Sequence, residues 1–164
     1  MFSIEEFKAN FLGGARPNKF EVEVPNLPDK VRYLIKAAPI PPGTIGEIIF
    51  HYQGTQTKLA GDRSYPDWNC SLVLDEDYAG YNEILAWQAI VKEHDTGLGA
   101  NNHNLYKKDC FITHYSQAGE VIGQFQMFGA WPKEVGEIPL SWDTVDSPIE
   151  VSLIFSFDYW KRIA

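Results

Sequence analysis

A chain of 164 residues is long enough to bury a substantial core and short enough for one domain, 1–164. Hydrophobic residues at 45% and charged residues at 22% exclude wholesale disorder and a membrane-protein composition. With 22 acidic against 14 basic residues, a formal charge of −8 argues against a protein that grips duplex DNA through a basic face.

The first seventeen residues mix Phe2, Ile4, Phe7, Phe11 and Leu12 with Gly13, Gly14 and Pro17. They read as an assembly arm (1–17) that orders against a partner, or else as a short helix packed on its own subunit. From Phe20 the period becomes two: Phe20, Val22 and Val24 alternate with Glu21 and Glu23, a half-buried strand, before turn residues at Pro25-Asn26 and Pro28-Asp29. Val31, Tyr33, Ile35 and Ala37 extend the alternation until Pro39, Pro41, Pro42 and Gly43 break it. Ile45 to Tyr52 predicts another strand, turned back at Gly54 through Gln56 to Leu59.

Trp68, Cys70, Leu72 and Leu74 face one way along a further strand that ends at Asp75, Glu76 and Asp77. Those acids favour the N-terminus of a helix predicted over about Tyr78 to Glu93, where Tyr81, Ile84, Leu85, Gln88 and Val91 recur at helical spacing. His94 to Tyr106 has loop composition. Lys108 to Tyr115 and Val121 to Phe128 form a hairpin around Gln117-Ala118-Gly119, after which Trp131-Pro132 and Gly136 interrupt the chain. The last strand reads as one unbroken alternation, Ile149, Val151, Leu153, Phe155, Phe157 and Tyr159. The fold class is mainly β (α+β): an antiparallel β-sandwich or barrel with one packed helix.

Chemistry is harder to find. Gly97-Leu98-Gly99 lacks the Gly-Lys-Ser/Thr of a phosphate loop, and His51, His94, His103 and His114 show no zinc-type spacing. No Gly-x-Ser-x-Gly elbow marks a hydrolase nucleophile. Cys70 and Cys110 each sit inside a strand and read as buried thiols. These patterns predict no catalytic residue, cofactor or metal, and no enzyme; a monomeric ligand-binding barrel or small hydrolase is the rival of a different class. No apolar run reaches the roughly 20 residues of a membrane helix, and no secretory leader is apparent, so neither membrane anchoring nor export is expected.

Several segments together resemble the tail tube protein family of T-even-type, contractile-tailed phages. They are Ala15-Arg16-Pro17-Asn18, Ala60-Gly61-Asp62-Arg63 through Ser64-Tyr65-Pro66-Asp67 to Trp68, Trp131-Pro132 with Val135-Gly136-Glu137, and Leu140-Ser141-Trp142-Asp143 before the strand ending Asp158-Tyr159-Trp160. The resemblance implies a structural virion protein, the tail tube subunit, assembled in the bacterial host cytoplasm. It forms hexameric rings in which each copy lends about four strands to a shared lumenal β-barrel, and the rings stack helically. Implied partners are further copies of itself, the sheath, baseplate and tail terminator proteins, and a tape measure protein and DNA that occupy the lumen without specific binding. It further places an extended inter-ring loop at Ala60 to Trp68, which makes Asp62, Arg63, Tyr65, Asp67 and Trp68 contact candidates, and the 1–17 arm, with Arg16, is a second candidate contact with a neighbouring ring. Glu21, Glu23, Glu47 and Glu150 alternate with apolar positions, so each is lumenal, outer-surface or interfacial. Six copies at −8 carry roughly −48 per ring, which would keep DNA phosphates off the wall. The tube of an extracellular contractile or type VI secretion system, with protein as cargo, is the alternative within the same fold.

Overall fold

The computed structural model describes residues 3–11, 13–25, 27 and 29–164. Helix α1 (Ile4–Asn10) is followed by β1 (Phe20–Glu23), α2 (Asp29–Arg32), β2 (Ile35–Ala37), β3 (Thr44–Tyr52), β4 (Thr55–Ser64) and β5 (Trp68–Val73). Helix α3 (Ala79–Val91) and a 3-10 turn at His103–Leu105 lead to β6 (Lys108–Tyr115), β7 (Val121–Val135), β8 (Glu150–Ser156) and β9 (Tyr159–Arg162). One sheet of seven strands runs β1-β6-β7-β8-β5-β2, with β9 also on β7, and all its pairings are antiparallel. The fold is mainly β and nearly closes into a barrel: β1 and β2, the ends of that path, face each other across an apolar cleft of about 470 Å³ lined in part by Phe20, Ala37, Ile40 and Ile112.

The alternating positions supply the core. Val22, Trp68, Cys70, Leu72, Cys110, Ile112, Met127, Val151, Leu153 and Phe155 all point inward and are buried. Trp68 and Phe155, opposite each other in the β5–β8 register, lie with ring centroids 5.4 Å apart. Helix α3 contributes Gly80, Ile84 and Trp87 to the same core, and the Trp87 indole donates to the Tyr106 carbonyl at 2.6 Å, so its polar atom is satisfied on burial. The helix starts one residue later and ends two residues earlier than its periodicity predicts. Asp77 accepts a hydrogen bond from the Ala79 amide at 3.2 Å, the role expected of the acidic cluster.

Three expected strand boundaries fall differently. Val31 is fully buried, but on α2, not on a strand; Arg32 on the same turn reaches Glu23 at 3.0 Å and Asp29 at 3.6 Å. The turn expected at Pro25-Asn26 and Pro28-Asp29 falls partly outside the described residues. Trp131-Pro132 does not interrupt the chain: β7 runs through it, because Pro132 sits beside a bulge between Pro132 and Glu134 where a missing amide is tolerated. The terminal alternation is broken at Phe157-Asp158. There the Asp158 amide donates to Phe128 O at 2.9 Å, and the chain crosses from the C-terminal half of β7, paired by β8, to its N-terminal half, paired by β9. Gly129 enables the switch with φ +66°, its amide donating to Asp109 Oδ1 at 3.2 Å.

Strands β3 and β4 form a separate two-stranded ribbon that pairs with no other described strand. A two-residue turn closes it, with Gln53 and Gly54 both at positive φ (47° and 77°), as a tight hairpin of matching twist requires.

Candidate assembly surfaces

The alternation in β3 that resembles a half-buried strand is here not buried at all. Ile48, Phe50 and Tyr52 are aligned opposite Leu59, Thr57 and Thr55, making one face, while Glu47, Ile49 and His51 with Ala60, Lys58 and Gln56 make the other. On the first face Ile48, Phe50, Tyr52 and Leu59 are 46%, 55%, 72% and 50% exposed. On the second, Lys58 and Glu47 pair at 3.6 Å. The ribbon is therefore amphipathic with no core of its own, an arrangement that needs a covering surface. Its base bulges between Ile45 and Glu47, and Gly46 and Gly61 pack there backbone to backbone: a Cβ on Gly61 would sit 3.1 Å from the Gly46 carbonyl.

The arm carries a second exposed apolar face. Ser3 and Glu6 form a reciprocal capping box at the start of α1, which the sequence pattern Ser-x-x-Glu encodes. No residue of α1 is buried; Ile4, Phe7 and Phe11 lie along one side, with Phe7 and Phe11 stacked at 5.1 Å. A third apolar group, Leu140, Trp142 and Val145, projects from the irregular segment between β7 and β8, with Trp142 wholly exposed.

The expected contact residues divide. Asp62 and Arg63 lie exposed on β4, not in a loop, and have no side-chain partner among the described residues. Asp67 is exposed and bonded to Lys133 at 2.7 Å. Tyr65 is half-buried, its ring 5.9 Å from Phe157. Arg16 is exposed where the arm joins the sheet, its carbonyl accepting a hydrogen bond from His114 Nε2 at 2.7 Å. Trp68 is no contact residue: it is fully buried in the core and its indole donates to Pro39 O at 2.8 Å, pinning the proline-rich bend.

Each of the four glutamates considered for the lumen has a cationic neighbour in its own subunit. Arg32 serves both Glu21 (3.8 Å) and Glu23 (3.0 Å), Lys58 serves Glu47, and Lys36 contacts Glu150. Glu21 also accepts the Tyr115 hydroxyl at 2.9 Å, and that hydrogen bond raises the phenol's pKa. Among the described residues no group of three or more His, Cys, Asp or Glu is placed to hold a metal ion. Cys70 and Cys110 are free and buried, and loss of solvation pushes both thiols up.

Such a fold is that of the tubes of contractile injection machines. The tube-terminating cap of the anti-feeding prophage superposes with a TM-score of 0.73 at 17% identity, over 93% of this chain and 92% of that one. A subunit of the extended sheath–tube complex of the PVC extracellular contractile injection system gives 0.66 at 15% identity, over 100% and 99%. In sequence, the chain is 28% identical to tail tube protein gp19 of Enterobacteria phage T4 over 90% of its own length and 91% of the relative's. The phage tail tube protein family model matches residues 5–163, and the chain belongs to that family. It is a tail tube subunit.

Proposed function

We propose that this chain builds the conduit of a contractile phage tail as hexameric rings, stacked helically inside a sheath and ended by baseplate and terminator proteins. The observation that carries the reading is the ribbon β3–β4: a strand pair with one exposed apolar face that no described residue of its own subunit covers. In a monomer such a ribbon is an aggregation liability; between copies it is cohesion. The exposed α1 face supports the same conclusion, since a seven-residue helix is marginal without tertiary packing.

Asp62 and Arg63 on β4, with Tyr65 and Asp67 just beyond it and Arg16 in the N-terminal arm, are the polar contacts we assign to assembly, where charge-assisted hydrogen bonds add direction to apolar burial. The bore works by not binding: at −8 per copy, a ring repels phosphate, and DNA passes without adhering. No catalytic role is proposed. Negative-stain microscopy of the purified protein tests the assembly; rings or tubes about the expected hollow axis support it, and a monomer at every concentration and ionic strength overturns it.

A further inference from the structure

The ribbon and the segment between β7 and β8 leave the sheet from opposite ends of the same strands. In the β5–β8 register Trp68 stands opposite Phe155 at one end and Val73 opposite Glu150 at the other, about 17 Å away along the strand. Both legs of the ribbon are fastened at the first end. The Trp68 indole holds Pro39 O ahead of β3, and beyond β4 the Tyr65 ring lies 5.9 Å from Phe157, with Gly43 close beside it. Residues 136–149 belong to the second end: the Gly136 amide donates to Ser152 O at 2.7 Å, and the Leu74 amide donates to Ile149 O at 2.9 Å.

Each of these two projections carries apolar side chains that its own copy leaves bare. On the ribbon they are Ile48 and Leu59, directly opposite each other, with Phe50 and Tyr52 beyond. On the other segment Trp142 is wholly exposed, with Leu140 and Val145 exposed to either side of it in sequence. Beside them opens a hollow of about 520 Å³, lined in part by Pro139, Leu140, Thr144, Pro148 and Ile149. A single exposed apolar residue is ordinary, but a bare tryptophan among aliphatic neighbours has the make-up of an interface anchor. The charges are complementary too. Asp143 and Asp146 flank Trp142, exposed and without an ionic partner among the described residues. On the ribbon Lys58 is taken by Glu47, which leaves the Arg63 guanidinium, four residues from Leu59, as the free cation.

Copies stacked head to tail turn one strand end to the neighbour on one side and the other end to the neighbour on the other. We propose that residues 136–149 are the docking site for the ribbon of a copy in the adjoining ring, with Trp142 seated on Ile48 and Leu59 and with Asp143 and Asp146 facing Arg63. This rests on the ring reading above and names the surface that receives the ribbon. Two different patches of the same chain meet in such a contact, so repetition lengthens the tube without closing it.

The test is Trp142→Ala, alone and combined with Leu59→Thr, with sedimentation of assembled protein across a concentration series and microscopy of every sample. Trp142 is wholly exposed, so the dilute protein should melt as wild type does. Trp142→Ala should raise the concentration at which tubes form about thirtyfold, with single rings below it, as loss of an interface anchor requires. Leu59→Thr alone should raise it about fivefold, yet add less than about twofold once Trp142 is gone, because both changes remove one contact. A full fivefold addition overturns the inference, and so does wild-type stacking by Trp142→Ala; with rings still present, the ring reading stands. Loss of rings together with tubes in Trp142→Ala also overturns it, by placing Trp142 between copies of one ring. Absence of any assembly by wild type overturns both readings. Should the alanine variant melt lower, charge reversal answers instead: Arg63→Glu and the pair Asp143→Lys/Asp146→Lys each weaken stacking about threefold, and all three together restore it. No restoration overturns the inference.

Discussion

Replacing Ile48, Phe50 and Leu59 together by threonine separates assembly from folding. Threonine keeps strand propensity, so the ribbon's backbone pairing survives the change. The three side chains are 46%, 55% and 50% exposed, so about half of each remains to be covered when a neighbouring copy docks. Full burial of such a side chain is worth about 2 kcal/mol, so the outstanding half is about 1 kcal/mol each, or about 3 kcal/mol per copy. At 1.4 kcal/mol per tenfold, the concentration at which tubes form rises roughly a hundredfold. The ribbon contributes nothing to the buried core, so the monomer's melting temperature should move by less than about 2 °C. Sedimentation of assembled tubes across a concentration series, with thermal melts of the dilute protein, measures both quantities. Unchanged assembly would refute the covered ribbon; a fall of several degrees in the melt would show that the ribbon packs within its own subunit.

Trp68→Ala should act in the opposite manner, costing about 3–5 kcal/mol of monomer stability through a core cavity, read as a lower urea midpoint before any assembly is attempted. Removing residues 1–11 should leave a folded monomer with an unaltered melt and no tubes by microscopy, because no described residue of that segment is buried; normal tubes would end the arm's assigned role. The two thiols give a pH signature. Both folded pKa values are raised, so their protonated form stabilises the fold fully below the unfolded thiol value of about 8.5, and that contribution declines as pH climbs past it. The urea midpoint should therefore fall between pH 7 and pH 9.5 by more in the wild type than in a Cys70→Ala/Cys110→Ala variant, and a thiol reagent should label the wild type only on unfolding.

Local pattern was enough to determine much of this molecule. Alternation of period two is a property of a few neighbouring residues, so β1, β5, the β6–β7 hairpin and the inward face of β8 were legible, as were α3 and its acidic start. The buried state of both cysteines followed from the strands that hold them. Alternation does not report what lies opposite, and that was left to the tertiary structure. Phe50 and Phe155 occupy equivalent positions in strands of similar pattern, yet Phe155 meets Trp68 on the next strand and Trp87 of α3 while Phe50 meets solvent, because only β8 has a second layer over it. Trp68 sat in a segment whose polar residues suggested contact, and its burial depended on β8 and the proline-rich bend arriving over it. The break between β8 and β9 likewise had no signal in its own residues; it follows from Gly129, nearly thirty positions earlier, letting β7 bend and present two halves to two different strands. Periodicity sets which side chains share a face, whereas only long-range pairing decides whether that face is covered by the same copy or left for the next one.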